Sequence, residues 1–233
     1  MMILQASQFG RLLCNGGVNL LCPSNDGVSV AHTSPPQRCV GCRLHPAQCI
    51  CDVIRTEAER LRNLVRTRVV IVIHAKEMSR STNTGFLAAQ LLPGSELRAR
   101  GVKDRTVDLD DLRRPEVRSV LLFPEPDAEI LTADPTDAPP ILVVPDGTWR
   151  QAGRMVHRDR VLRRLPRVAL APSQPTGYAL RTSPRPGALC TLEAIGRALS
   201  LLEGPGNGPT VRRALMTVFN AQVQATLRMR GRA

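Results

Sequence analysis

The stretch ILVVPDGTWRQAG (residues 141–153) passes from an apolar run through a polar turn into the beginning of a helix. Its first four residues are apolar, Pro145 and Asp146 follow, and Trp149 is the only tryptophan of the chain. A short apolar run that ends at such a turn is typical of a strand covered on both faces, as in a parallel sheet. The stretch therefore predicts a strand, a loop and a helix of an α/β fold.

The rest of the chain continues this alternation of strands and helices. Apolar or alternating runs predict further strands at residues 68–74, 95–102, 117–124, 167–170 and 178–181. Helices are predicted at residues 86–92, 148–162, 188–204 and 209–232, and residues 52–67 form a short helix or a linker. This order indicates an α/β fold with a mainly parallel sheet and helices on both faces.

The charge of the chain is strongly positive. The 233 residues carry a net charge of +12, almost wholly from arginine, because the lysines are Lys76 and Lys103 alone. Such a surplus favours binding to polyanions, first RNA or DNA and second an anionic membrane surface, although a merely soluble basic surface stays open.

The sequence also predicts the setting of the protein. No run approaches the roughly 20 apolar residues that a membrane span needs, and the N-terminus lacks the pattern of a signal peptide. Residues 1–37 have no sustained periodicity and end in a segment rich in Ser, Pro and Gly. We therefore expect a cytoplasmic protein with no membrane partner, in which residues 1–37 are either a flexible N-terminal extension or the product of a start site assigned too far upstream.

Four cysteines lie within thirteen residues, in the pattern C-x2-C-x6-C-x-C: Cys39, Cys42, Cys49 and Cys51. Four thiolates in one short loop can close a tetrahedral shell, and zinc is the cation that such a set most often holds. An iron–sulfur cluster or redox thiols are the alternatives. Residues 38–66 are thus predicted to be a zinc knuckle and a connecting segment. Arg38 and Arg43 flank the cysteines and would present positive charge to RNA.

Polar or Pro/Gly-rich loops follow several of the predicted strands, at residues 74–85, 123–128, 145–149 and 183–193. In open parallel sheets, ligands bind where the carboxyl ends of the strands deliver their loops. Arg80 can clamp a carboxylate or a phosphate, whereas Asn83 or Thr84 can instead cap the helix that follows. The chain has no G-x-G-x-x-G after its first strand, no P-loop and no G-x-S-x-G elbow. The sequence therefore gives no sign of a dinucleotide site, of a nucleoside-triphosphate site or of a hydrolase nucleophile.

Five motifs occur together in one order: RCVGCRLHPAQCIC, HAKEMSRSTNTG, FPEPDA, PDGTWRQAGRM and ALCTLEAIGRAL. In order and spacing they resemble the DTW-domain family, the tRNA-uridine aminocarboxypropyltransferases, from about residue 38 to about residue 202. The Asp-x-Thr-Trp core of that family is found here at residues 146–149. The resemblance implies a SPOUT-like catalytic domain over residues 67–233 with a C-terminal trefoil knot, and a possible homodimer.

The same resemblance implies a reaction. It is the transfer of the 3-amino-3-carboxypropyl group from S-adenosylmethionine (SAM) to N3 of a tRNA uridine, with release of 5′-methylthioadenosine. The alternatives are a SPOUT-like RNA methyltransferase and a non-catalytic zinc-knuckle protein that binds RNA. Ribosomal RNA is another possible acceptor.

Roles for individual residues follow from the resemblance. Asp146 is expected to be the catalytic base, or else an Asp that caps the following helix. Trp149 either stacks on a base or packs the loop, and Glu193 binds the donor's amino group or pairs with an arginine. The residues expected around SAM are Leu122, Phe123, Pro124, Val144, Pro145, Gly147, Thr148, Trp149, Leu189, Thr191 and Glu193. Those expected to bind the RNA substrate are Arg80, Thr82, Asn83, Thr84 and Arg154.

Overall fold

The computed structural model describes residues 38–133, 139–172 and 189–231, which belong to one compact unit. The extension predicted at residues 1–37, the strand predicted at residues 178–181 and the loop at residues 182–187 lie outside the described residues.

In the part of the chain that the structure describes, six parallel strands form one sheet in the order β2-β1-β5-β3-β6-β4. The strands are β1 (Val69–His74), β2 (Glu96–Arg100), β3 (Ser119–Leu122), β4 (Glu129–Ile130), β5 (Ile141–Asp146) and β6 (Arg167–Ala169). The predicted α/β class and parallel sheet are confirmed. The two-residue strand β4 was not predicted, because so short a run at an edge carries no measurable periodicity.

Helices cover both faces of the sheet. They are α1 (Cys51–Leu61), α2 (Thr84–Leu91), α3 (Trp149–Arg158), α4 (Thr191–Leu202) and α5 (Gly204–Met229). Ile71 and Val144 face the cluster built with α1, α2, α4 and α5, whereas Val72 and Val143 face the cluster built with α3. Successive side chains of a strand point to opposite faces, so a strand buried on both sides must be apolar throughout.

Several helix boundaries differ from the predictions by a few residues, and three of the differences have a clear local reason. Helix α2 begins two residues early because Asn83 caps it. Helix α3 ends at Arg158 because the next residue, Asp159, forms a turn. Its side chain accepts hydrogen bonds from the backbone N–H groups of Val161 at 2.8 Å and Leu162 at 3.1 Å. Helix α5 begins at Gly204, with a proline in its first turn, where a missing N–H costs nothing.

A buried carboxylate joins the last two helices to the sheet. The side chain of Glu203, between α4 and α5, is fully buried. It accepts hydrogen bonds from the backbone N–H groups of Arg66 at 3.1 Å and Thr67 at 2.8 Å, just before β1. Because a buried charge needs such partners, Glu203 fixes the corner of α4 and α5 against the beginning of the central strand. Among the described residues, no helix has both the length and the apolar character that crossing a membrane requires.

Candidate active site

The candidate site lies at the carboxyl edge of the sheet. Strands β1 and β5 are parallel neighbours in which Ile73 pairs with Asp146, so both strands end at this edge. Strand β3, on the other side of β5, ends just before Phe123. The first residue of α4, Thr191, is also here, because its hydroxyl contacts Asp146. Segments far apart in the sequence that were predicted to share a site thus meet at one edge.

Asp146 is the centre of this arrangement. Its side chain is buried, with 4% of the residue exposed. One carboxylate oxygen accepts a hydrogen bond from Asn83 Nδ2 at 2.5 Å, and the other accepts one from the hydroxyl of Thr191. Asn83 is the N-cap of α2 and Thr191 begins α4, so the carboxylate joins the amino ends of two helices. The partial positive charge at both helix ends stabilises a carboxylate in this position.

The cap of α3, which was the alternative role for Asp146, belongs to another residue. Thr148 Oγ1 accepts a hydrogen bond from Gln151 N at 3.3 Å, and Gln151 Oε1 accepts one from Thr148 N at 2.7 Å. This reciprocal pair is a capping box, which satisfies two backbone donors at once. Capping of α3 therefore does not explain Asp146.

The contact between α2 and Asp146 requires glycine at position 85. A Cβ atom added to Gly85 would lie 2.7 Å from Cγ of Asp146 and 2.9 Å from Oδ2. Real Cβ atoms do not come so close, so any side chain here would push the carboxylate away from Asn83. The motif therefore needs both the asparagine that binds Asp146 and the glycine that lets it approach.

A second capping box begins α4, beside Asp146. The backbone N–H of Cys190 donates to Glu193 Oε2 at 3.1 Å, and the Sγ of Cys190 accepts from Glu193 N at 3.5 Å. Burial raises the pKa of the Cys190 thiol, which keeps this sulfur protonated at neutral pH. The carboxylate of Glu193 is buried and takes part in this cap.

The predicted substrate residues divide into two groups. Asn83 and Thr84 are buried, and Asn83 Oδ1 also accepts from Phe86 N at 2.6 Å. Thr82 is half-buried, whereas Arg80 is more exposed and pairs with the buried Glu77 at 3.2 Å. Arg154 lies on the exposed face of α3. Asn83 thus holds the end of the loop through its contacts with Asp146 and Phe86, Thr84 is buried beside it, and both arginines are exposed.

The aromatic side chains at the edge pack against each other. The rings of Phe123 and Trp149 have centroids 6.2 Å apart and are tilted by 46°, a favourable geometry for an aromatic pair. Trp149 is half-buried, in contact with the core beneath α3. The other predicted SAM residues at the ends of β3 and β5, Leu122, Val144 and Pro145, are buried, whereas Pro124 is exposed. Thr148 is exposed at the start of α3, and Gly147 and Leu189 are half-buried.

The four cysteine sulfurs form a compact cluster whose Sγ atoms all lie within 4.8 Å of one another. Cys39 Sγ is 3.4 Å from Cys51 Sγ and 3.6 Å from Cys49 Sγ, and Cys42 Sγ is 3.8 Å from Cys49 Sγ. A tetrahedral zinc with bonds of about 2.3 Å separates its sulfurs by about 3.8 Å, so the set fits a single metal ion. Several irons with bridging sulfides need a wider cage.

The thiols of this cluster influence one another's ionisation. Burial raises the pKa of Cys42 and of Cys51, and the neighbouring sulfur groups raise them further. For Cys39, burial opposes hydrogen bonds from the Cys42 backbone and from the other thiols, and its pKa falls to about 7. Several thiolates this close repel one another unless a cation lies between them.

The cysteine segment holds the loop that leads into the site. The guanidinium of Arg43 donates to the carbonyl of Met78 and stacks over the Phe86 ring, 3.3 Å from its centroid. Arg38 donates to the carbonyl of Ser79 at 3.1 Å, and Gln222 of α5 donates to that of Ser81 at 3.0 Å. The structure thus gives Arg43 a bracing contact, and its role toward RNA stays a prediction. No local pattern signals these contacts, because the partners are 35 to 141 residues apart.

Comparisons with known proteins show the family to which the chain belongs. The family model described as "DTW domain" matches residues 36–227. The chain is 30% identical over 203 residues to the tRNA-uridine aminocarboxypropyltransferase 2 of Drosophila melanogaster. The alignment covers 84% of this chain and 79% of that protein. It is 28% identical to the protein of the same name from Mus musculus, over 76% of this chain and 60% of that one. Among solved structures, the SAM-dependent rRNA:acp-transferase Tsr3 from Vulcanisaeta distributa aligns with a TM-score of 0.45 and 19% identity, over 70% of this chain and 83% of that chain.

The close approach at Gly85 predicts an unusual response to alanine. In a helix, Gly→Ala ordinarily stabilises the protein, but here the new Cβ collides with Asp146. We expect Gly85→Ala to lower the free energy of unfolding by about 1–3 kcal/mol, as overpacking does, in chemical denaturation.

Gly153→Ala on α3 is the matched control, because its Cβ would meet only Phe123 Cζ, at 4.0 Å. This variant should be as stable as the original protein, or more stable by up to about 1 kcal/mol. Equal stabilisation by both substitutions would contradict the close contact between Gly85 and Asp146.

Proposed function

Because this chain belongs to the DTW domain family, we propose that it transfers the 3-amino-3-carboxypropyl group from SAM to N3 of a uridine in tRNA. The two curated relatives described above carry the name of this activity. The observation that supports the assignment most directly is the buried carboxylate of Asp146, where three of the family's motifs come together. The chain spans 79% of the Drosophila protein and 60% of the mouse protein.

The chemistry requires little from the protein beyond position and proton transfer. SAM supplies an activated carbon, because its sulfonium is a good leaving group. In the proposed step, the uridine N3 bonds to Cγ of the methionyl part, and the S–Cγ bond breaks with its electron pair left on sulfur. The N3 proton passes to a base. A positioned base contributes roughly 10² to 10⁴ to the rate.

We assign the proton-accepting role to Asp146. It lies at the carboxyl end of β5, the edge where ligands of parallel sheets bind. Asn83 and Thr191 hold both of its oxygens, so its orientation is set before any substrate arrives. Such prior orientation is what an efficient base requires, because no energy is then spent on ordering it during the reaction.

The two reaction partners are assigned to neighbouring surfaces. SAM is proposed to lie along the loops after β3 and β5 and the beginning of α4, at the residues named for it above. Arg80, Thr82 and Arg154 are proposed to contact the RNA. The trefoil knot, the homodimer and the cytoplasmic location stay predictions from the sequence and its resemblance.

A structural zinc ion is proposed for the four cysteines. Their spacing fits a single tetrahedral ion, and all four ligand positions are filled by protein, as in sites that stabilise folding without taking part in chemistry. Such an ion would fix the segment that carries Arg38 and Arg43, which holds the loop at residues 78–79.

The reaction itself is tested by incubating the protein with labelled SAM and unmodified tRNA and then measuring nucleoside masses. We expect uridine heavier by one 3-amino-3-carboxypropyl group, together with 5′-methylthioadenosine. A methylated nucleoside would support the methyltransferase alternative. Absence of any product, together with no binding of SAM, would support the non-catalytic alternative.

Metal content provides a second test. We expect one zinc per chain by elemental analysis, and we expect Cys42→Ser to lose it and to unfold at lower temperature, because one of four ligands is gone. Cys190→Ser is the control, since this cysteine lies outside the cluster and caps α4. Equal zinc content in both variants would exclude the four-cysteine site.

The role of Asp146 is tested by exchanging the side chains of Asp146 and Asn83 between the two positions. Asp146→Asn should lower the rate by about 10² to 10⁴ and also destabilise the protein, because a neutral amide accepts weaker hydrogen bonds than a carboxylate and is not attracted to the two helix ends. The double variant Asn83→Asp/Asp146→Asn restores a hydrogen bond to a carboxylate between the two positions and keeps an N-cap for α2, while the carboxylate moves to position 83.

If Asp146 is the base, the double variant regains thermal stability while its rate stays low. Recovery of both stability and rate would show instead that Asp146 is a positioning residue that only holds α2 and α4 together. Circular dichroism melting and single-turnover kinetics on the same samples separate the two results.

A further inference from the structure

Helix α3 and the turn after it carry an unusual concentration of positive charge. Residues 149–164 contain six arginines and one acidic residue, Asp159. Asp159 is only 13% exposed in its side chain and is engaged by Arg100 at 3.0 Å. All six arginines are exposed: Arg150, Arg154, Arg158, Arg160, Arg163 and Arg164. No acidic side chain of the segment thus reduces the positive charge that the arginines present to solvent.

Three of these arginines form a straight row. Arg150, Arg154 and Arg158 follow one another at intervals of four residues, which places them on one face of the helix. Ala152, Met155 and Val156 fill the opposite face and are buried. Each step along the row is about 6 Å, since a helix rises about 1.5 Å per residue. This step is close to the separation of neighbouring phosphates along an RNA strand.

The row is not part of the internal network of ion pairs. Arg160 is paired with Asp110, and His157 contacts Glu125 at 2.9 Å. Within residues 38–133, 139–172 and 189–231, the guanidinium groups of Arg150, Arg154 and Arg158 make neither a hydrogen bond nor an ion pair. Three neighbouring guanidinium groups that face solvent repel one another, and a polyanion relieves that repulsion.

The row also begins at the candidate active site. Helix α3 starts at Trp149, two residues after Gly147 and three after Asp146, at the carboxyl edge of the sheet. Arg150 is therefore in the first turn beside the site, and Arg158 is two turns away from it. An anionic strand bound along the row would have one end at the site.

We propose that the row of Arg150, Arg154 and Arg158 binds the phosphate backbone of the RNA substrate and guides it to the site. This proposal rests on the proposed function, because it takes RNA as the substrate. Phosphate contacts fix the position of a nucleic acid without reading its sequence, and arginine binds phosphate through two parallel N–H groups. An anionic lipid surface fits less well, because a helix that lies on a membrane inserts apolar side chains, and those of α3 are buried against the sheet.

The test is binding of unmodified tRNA to the full chain by fluorescence anisotropy over a range of salt concentrations. The variant Arg154→Glu/Arg158→Glu should raise the Kd at least about tenfold, and the slope of log K against log salt should become shallower by about 2. Its melting temperature should match that of the original protein, since both side chains are exposed.

Arg212→Glu/Arg213→Glu on α5 is the matched control. Both residues are exposed, the change in net charge is the same, and α5 packs on the opposite face of the sheet. This control should bind tRNA with a Kd within about twofold of the original, because charge remote from the contact is screened by salt. An equal loss in both variants would overturn the proposal, since net charge alone would then explain binding.

Two further outcomes decide between related ideas. Undiminished tRNA binding by the α3 variant would overturn the proposal. A second measurement compares binding of the same variant to phosphatidylserine vesicles. If the variant lost vesicle binding but kept tRNA binding, the row would be a membrane surface and the proposal would again be overturned. Failure of the proposed function is recognised separately, by the absence of nucleoside product and of SAM binding in the original protein. A protein that binds tRNA through α3 but forms no product would overturn the reaction and leave this surface intact.

Discussion

The carboxylate of Asp146 is the constraint on which the organisation of the site depends. One side chain at the end of β5 receives hydrogen bonds from the N-cap of α2 and from the first residue of α4. A buried carboxylate without such partners would be costly, so the two helices must begin where they do. Gly85 makes the approach possible because it adds no Cβ between α2 and the carboxylate. The strand, two helices and three sequence motifs are thereby held at a single point.

The loop at residues 75–83 is held from two distant parts of the chain. Arg43 stacks on Phe86 and donates to the loop, which connects it to the four-cysteine cluster, and Gln222 donates to it from α5. A loop that carries Asn83 must be rigid if Asn83 is to orient Asp146. The cysteine cluster can therefore influence the site without touching a substrate, by fixing the backbone that carries these arginines. The four-cysteine cluster and the candidate active site are thus connected by one continuous set of contacts.

Much of the fold follows from the period of the apolar residues. The run at residues 69–73 is apolar at every position, and a strand of that kind needs cover on both faces, which predicts a parallel sheet with helices on both sides. Ends of elements were less predictable, because they depend on single hydrogen bonds such as the Asp159 turn that stops α3. The edge of the sheet where the site lies was also predictable, since polar loops follow β1, β3 and β5 in the sequence.

By itself, the sequence determined the fold class, the four-cysteine cluster and the edge at which the motifs gather, because each depends on residue types at short, regular spacing. Only the tertiary structure decided which side chains meet. Asp146 bonds to Asn83 and Thr191, 63 and 45 residues away, and Trp149 packs against Phe123. Likewise, Arg43 supports a loop while Arg150, Arg154 and Arg158 face solvent, although all four are arginines in or next to a motif. Contacts between distant residues depend on how whole helices and strands pack, and local spacing carries no record of that packing.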